Sequence, residues 1–423
     1  MLKKVLSSSL WLLIGNLFGR VTMFLVNIIA ARLLSQNDFG QFSMIRNTVS
    51  MVEGVISGTI GTPIVKRTAE SYNHDSFSTI FKILFIINLI ISATLASLIL
   101  ILSPYITEIF FKGNIVIVQG LYIGAFLLIT TSLSTFIQNI FIGIEKYQKI
   151  AIASLYTSLL SFPIILILID SYKLYGALYG ILIYFLIDFI SKYYQFKKLK
   201  FKQSDKININ LLKCEAKKLF FFSYPLFGAI FISSISFWYA RVIIIDTDGF
   251  SSLAIFDAAF QWLTIIMIIT GTTTSVILPM LSKINQKKDS KQYRKTIFIN
   301  IGVNLIISSF FAFIFSFFSK DIMSIYGVNY IKGYEVLVIL SITSIFFSLS
   351  SIMNKVYISL GYTKEILYIV SFTALSMISF LKLDILIGIS GLADAFLYFY
   401  MMLFFLYMCF YINNIYNIFG NNK

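Results

Sequence analysis

Cysteine and histidine are nearly absent from this chain. Its 423 residues hold two cysteines, Cys214 and Cys409, and one histidine, His74. Two cysteines so far apart cannot form a disulfide framework, and one histidine excludes a multi-histidine metal centre. Charge is scarce as well, at 13% of residues, about half of what a soluble domain carries, roughly 25%. So few charged groups cannot cover a water-facing surface, so the surrounding solvent is lipid. No glycine-rich phosphate loop of the Walker type occurs. The connections between apolar runs are too short to house a soluble catalytic domain. These absences argue for a protein that moves something rather than one that makes something, with no cofactor.

Hydrophobic residues fill the space, at 58% of the chain with 43 Phe and 25 Tyr. Apolar runs of about 20 residues, each enough to cross a bilayer, recur from end to end. They predict an all-α integral membrane protein with twelve spans, near 8–34, 38–65, 80–103, 115–142, 149–170, 174–196, 215–245, 250–280, 294–319, 333–360, 363–383 and 386–415. The N-terminal run continues past Arg20 without a small-residue cleavage pattern, so it reads as a retained first span. The net charge of +15 fits basic cytoplasmic loops better than nucleic acid. With the N-terminus inside, 25 of the 34 Lys and Arg fall in inner loops and six in outer ones. That bias supports an even number of spans with both termini cytoplasmic. The longest connection is basic, "KYYQFKKLKFKQSDKININLLKCEAKK", and divides the chain into residues 1–205 and 206–423, six spans each.

The two halves echo each other. "AARLLSQNDFGQF" at Ala30–Phe42 has a relative at Ala240, "ARVIIIDTDGFSSLAIF". Each reads Ala-Arg, aliphatics, then a turn with Asp, Gly and Phe. Each is followed by a span ending near a proline, Pro63 or Pro279. Six spans per half is even, so the repeat is parallel, an arrangement that suits two bundles opening alternately to either side.

Charges inside spans point to function, because each costs about 2.5–3.5 kcal/mol at mid-membrane on insertion scales. Asn16, Arg20 and Asn27 share one face of the first span. Arg46 and Glu53, seven apart, share one face of the second. Together they predict a wet cavity with fixed cations, or else ion pairs between helices. Arg32 and Arg241 read as outer corners whose arginines snorkel to headgroups, with Asp257 a candidate partner for Arg241. Asp188 lies near the inner end of the sixth span. "TGTTTS" at 270–275 lines a cavity or glues helices, and the glycine pairs 15/19 and 54/58 have close-packing spacing. Pro163 and Pro225 mark kinks.

With "LWLLIGNLFGRVTMFLVNIIAARLLSQNDFGQFSMI" and "GTPIVKRTAE" in place, the chain resembles the Wzx-type O-antigen and polysaccharide flippases of the multidrug/oligosaccharidyl-lipid/polysaccharide (MOP) exporter superfamily. The resemblance spans the full length and is strongest over 8–70. Where that family tends to carry an Asp-Arg pair, this chain reads "YARV". The resemblance implies a flippase of the bacterial inner membrane. It would carry undecaprenyl-pyrophosphate-linked oligosaccharide outward for O-antigen or other surface polysaccharide, with a polymerase and a chain-length regulator as partners besides the membrane lipids. Arg20, Arg46, Asn16, Asn27 and Arg241 are then candidates for holding pyrophosphate and glycan. Glu53 and Asp257 are candidates for coupling to H⁺ or Na⁺. The rival readings are a drug or cation antiporter of the same superfamily and a membrane-embedded polysaccharide-processing enzyme.

Overall fold

The computed structural model describes residues 2–72, 77–199, 209–286, 290–382 and 388–412. His74 lies outside them, as do the side chains of Asn16, Cys214, Pro225 and Pro279. The described backbone is helical almost throughout and contains no strand. In order it runs α1 (Leu2–Leu33), α2 (Gln36–Ile56), a π-helical turn (Ser57–Gly61), α3 (Thr62–Ser71), α4 (Phe77–Phe111), α5 (Ile115–Gly143), α6 (Tyr147–Lys197), α7 (Ile209–Asp248), α8 (Phe250–Gln286), α9 (Ser290–Phe317), α10 (Ser319–Ser324), a 3₁₀ turn (Val328–Gly333), α11 (Tyr334–Leu360), α12 (Thr363–Lys382) and α13 (Gly388–Phe410). All twelve expected spans fall largely on this helical backbone. Among the described residues nine helices are long and apolar enough to cross a membrane.

One of the nine, α6, has 51 residues, far more than the roughly 20 a bilayer needs. It is two legs rather than one rod. Lys173 has φ 50° and ψ −123°, and the chain folds back there. A Cβ on Gly176 would stand 1.8 Å from the Leu168 carbonyl oxygen, and one on Gly180 would stand 3.0 Å from Ile165. In a straight helix residues 165 and 180 would be about 22 Å apart, so the legs are antiparallel neighbours. They match the expected spans 149–170 and 174–196.

The two echoed corners are closed by different means. Between α1 and α2 the Ser35 hydroxyl accepts from the Asp38 backbone N–H at 3.1 Å and donates to the Asp38 carboxylate at 2.8 Å, an N-cap that satisfies one free helix donor. Between α7 and α8 the work falls to Gly249, at φ 81°, a left-handed conformation that suits a residue without Cβ.

The chain divides into two compact units, Met1–Ile230 and Phe231–Lys423. In the first, α5 packs on α2, α3, α4 and α6, and α1 lies along α6. In the second, α11 packs on α8, α9 and α13, and α12 lies on α13. Large apolar side chains stand exposed around both, among them Ile101, Ile109, Phe298, Phe313 and Phe317. In water such a surface would aggregate; in lipid it is the expected exterior of a multi-pass membrane protein.

Candidate functional site

The first unit holds a cavity of about 300 Å³. Three elements supply its wall besides α1: α2 gives Arg46 and Glu53, α5 gives Thr131 and Thr135, and the second leg of α6 gives Phe185. Arg46 and Glu53 face the same space because seven residues make two helical turns. The approach of α5 to α2 depends on missing side chains. A Cβ on Gly120 would lie 2.1 Å from Ile45 and one on Gly124 would lie 2.7 Å from Val49. The pair 120/124 therefore provides the close-packing spacing in this unit. Of the expected pair 54/58, Gly54 has nothing within 4 Å, while a Cβ on Gly58 would lie 2.5 Å from Ile230 of α7, so only the second glycine of that pair permits a close approach.

Of the two charges on the cavity wall, Arg46 is anchored from α1. Arg46 donates to the side-chain oxygen of Asn27 on α1, and Asn27 is itself fixed by donating to the Met23 carbonyl at 2.8 Å. The guanidinium stands 5.5 Å over the Phe42 ring. Glu53 faces Thr131 and Thr135 of α5, whose hydroxyls donate to the Leu127 and Thr131 carbonyls at 2.9 and 2.8 Å. The cavity therefore presents a planar cation, a carboxylate and three hydroxyls, of Ser50, Thr131 and Thr135, on an otherwise apolar wall, which suits a polar or charged group bound by few, oriented contacts.

The remaining sequence candidates divide. Arg20 is exposed and continues the α1 stripe of Met23 and Asn27 by one turn, since positions 20, 23 and 27 share a helix face. Asn16 lies outside the residues whose side chains are described. Arg241 and Asp257 sit together in the second unit, with Nε and Oδ1 3.2 Å apart and exposures of 5% and 2%. Three rings enclose the guanidinium, Phe256, Phe260 and Phe396, at 4.9–5.5 Å, and it also donates to the Phe237 carbonyl at 3.1 Å. The expected snorkelling of Arg241 is thus corrected: its cation is neutralised and buried among aromatics, while Arg32 at the equivalent corner is exposed. Buried pairs of this kind persist only with such complete partnering.

Asp188, noted in the sequence near the inner end of its span, belongs to a second charged network whose cation the sequence reading missed. Asp188 and Lys192, on the second leg of α6, form a 2.6 Å ion pair with exposures of 4% and 3%. Ser134 donates to the same carboxylate. The ammonium also donates to Gln138 at 2.9 Å and to Ser134 at 3.1 Å, and Thr157 reaches Asp188 at 3.4 Å. Lys192 counted as a cytoplasmic loop cation by its place at the end of an apolar run. The signal that would have exposed it is the i, i+4 spacing to Asp188.

A sequence profile described as polysaccharide biosynthesis protein matches residues 5–285. No curated protein sequence matches the chain. Solved structures share the fold across nearly the whole length. The inward-facing form of a multidrug resistance MATE family transporter of the MOP superfamily aligns with a TM-score of 0.73 at 12% identity, covering 96% of each chain. A MOP superfamily transporter from Pyrococcus furiosus, for which reverse polarity of the binding pocket suggests a different function, aligns with a TM-score of 0.72 at 15% identity, covering 99% of this chain and 97% of that one. A eukaryotic MATE transporter reaches 0.74 at 12% identity, covering 99% and 97%.

Proposed function

Since the chain belongs to the polysaccharide biosynthesis protein family and has the fold of MOP superfamily transporters, we propose that it is a flippase for a lipid-linked oligosaccharide. The cargo is an undecaprenyl-pyrophosphate-linked repeat unit, carried from the inner to the outer leaflet of the bacterial plasma membrane by alternating access. The observation that carries this reading is Arg46, held by Asn27 at the wall of a 300 Å³ cavity. A guanidinium offers a planar fork of donors to two phosphate oxygens at once. In an apolar surround that contact is worth more than in water. Arg20, one turn further along α1, is the second candidate for the anion. The hydroxyls of Thr131 and Thr135 suit a sugar, and the prenyl tail stays in the bilayer.

The energetics favour outward movement of such a cargo. Two negative charges crossing 100 mV, inside negative, gain roughly 4.6 kcal/mol, at about 2.3 kcal/mol per charge. The anion needs no push; returning the empty carrier is the step that would draw on H⁺ or Na⁺. A surface-polysaccharide polymerase and chain-length regulator would act on the delivered unit. The test is complementation of a strain lacking its own flippase. Restored surface polysaccharide supports the reading; its absence with the protein present in the membrane overturns it.

One observation favours a second reading. Glu53 lines the same cavity, and a carboxylate facing an apolar pocket is what a drug or cation antiporter requires. Efflux of a cationic dye from cells expressing the chain, lost in Glu53→Gln and kept in Arg46→Ala, would decide for it.

A further inference from the structure

A cation stands inside the second unit without a counter-ion. Lys355 lies in α11, five residues before its end at Leu360, although the charge count assigns it to an inner loop. It is half-buried and forms no ion pair or hydrogen bond among the described residues. Its neighbours on the helix fix its direction. One turn before it the Ser351 hydroxyl reaches Thr274 of α8 at 3.5 Å, and one turn after it Ser359 shares a 2.6 Å hydrogen bond with the Tyr293 hydroxyl of α9. Positions 351, 355 and 359 lie within roughly 80° of helix arc, so Lys355 is aimed at the seam between α8 and α9. That seam is polar further along. Thr273 of α8 donates to the Asn304 side chain of α9 at 2.6 Å. Ser348, on the same arc of α11, is fully buried, and its hydroxyl has no hydrogen-bond partner among the described residues.

Two ordinary explanations fail. Snorkelling needs the side chain to run toward the nearer membrane surface. Side chains in a helix lean toward its N-terminus, so an ammonium near the C-terminal end of α11 leans inward, over the turns of Ser351 and Ser348. A structural ion pair needs a carboxylate, and the facing helices supply none. α9 contains no Asp or Glu. The one acid in α8 is Asp257, already paired with Arg241, and the one in α11 is Glu335, at the opposite end of the helix. The start of α9 adds Lys291, Arg294 and Lys295, so the local field is positive. A half-buried cation in that setting gains from an anion beside it, and an ammonium with hydroxyls is a donor set that holds phosphate oxygens. We propose that Lys355, with Ser348, Ser351 and Thr274, forms an oxyanion site in the second unit that takes the phosphate or pyrophosphate of a membrane-anchored ligand. That chemistry has two sources, the headgroup of an anionic phospholipid and the pyrophosphate of a lipid-linked cargo. The second rests on the proposed function; the site itself does not.

The test measures binding rather than transport. Purified chain carrying Arg46→Ala, which removes the anion contact of the first unit, is titrated in neutral detergent with radioactive inorganic pyrophosphate, at about 0.15 M salt so that exposed cations are screened. One saturable site per chain is expected, lost in Lys355→Met, kept in Lys355→Arg and weakened several-fold in Ser351→Ala. Without pyrophosphate Lys355→Met should unfold at a higher temperature than its parent, because it removes an unpaired charge; a residue needed only for packing would lower that temperature. No saturable binding, or binding that survives Lys355→Met, overturns the site. Should Arg46→Ala fail to fold, the wild-type chain serves instead, with two sites falling to one in Lys355→Met. The occupant is then read in vesicles of phosphatidylcholine. Added phosphatidylglycerol that weakens pyrophosphate binding at Lys355 at least tenfold assigns a phospholipid headgroup; the same effect from undecaprenyl phosphate alone assigns the cargo. Competition by neither overturns a membrane-anchored ligand. Failed complementation with this site intact would sink the flippase reading alone.

Discussion

At the scale of single residues, Arg46 and Lys192 make opposite demands on experiment. Arg46 lines a cavity, so its loss should cost function before stability. Arg46→Ala removes a charge-assisted contact worth about 1.5–3 kcal/mol. Translocation of lipid-linked oligosaccharide in reconstituted vesicles should fall at least tenfold, with thermal stability close to wild type. Arg46→Lys should fall between, because an ammonium keeps the charge and loses the planar fork. Lys192 is enclosed by Asp188, Ser134 and Gln138, so its loss should cost stability first. Lys192→Met strands a buried carboxylate and should destabilise by about 3–5 kcal/mol, with Asp188→Leu added in the same chain recovering part of it; thermal unfolding in detergent reads both. Arg46 and Glu53 were legible in the sequence because charges inside apolar runs are rare. The contact of Ser351 with Thr274 was not, since small polar residues are common in membrane helices and only packing brings these together.

At the scale of elements, glycines decide how close helices come. The boundaries of the spans were readable from apolar run length, and the helical backbone follows them, including the division of α6 at Lys173. The contacts were less readable: the pairs 15/19 and 54/58 have the same spacing as 120/124, yet 120/124 is the pair that seats α5 on α2. Spacing alone does not say which face a helix turns to its neighbour. Gly124→Leu should therefore wedge α2 from α5 and close or deform the cavity, seen as lost transport with expression retained, while Gly54→Ala, with open space at its Cβ position, should be tolerated and gain a few tenths of a kcal/mol to about 1 kcal/mol of helix propensity. The sharpest case is the α6 hairpin. Gly176→Val would drive a side chain into the Leu168 backbone, and no rotamer relieves a clash with a carbonyl. That variant should be lost to degradation or aggregation, as read by size-exclusion chromatography.

At the scale of the whole molecule, membrane residence and a two-fold echo were readable from composition, loop charge and spacing. The equivalence of the corners was only partial, because an N-cap serine and a left-handed glycine can close the same turn, and because Arg32 and Arg241 occupy opposite environments. A flippase whose cargo carries net negative charge should be voltage-sensitive. In vesicles with an imposed potassium-diffusion potential, outward-directed transport should rise when the starting side is negative and slow when the potential is reversed; indifference to voltage would argue for neutral cargo. The described wall of the first cavity carries one positive and one negative formal charge, Arg46 and Glu53 on one helix. Its sum is zero, so one substitution tips it either way: Glu53→Gln makes the chamber cationic, Arg46→Gln makes it anionic. For this scaffold the sign of the chamber turns on a single codon.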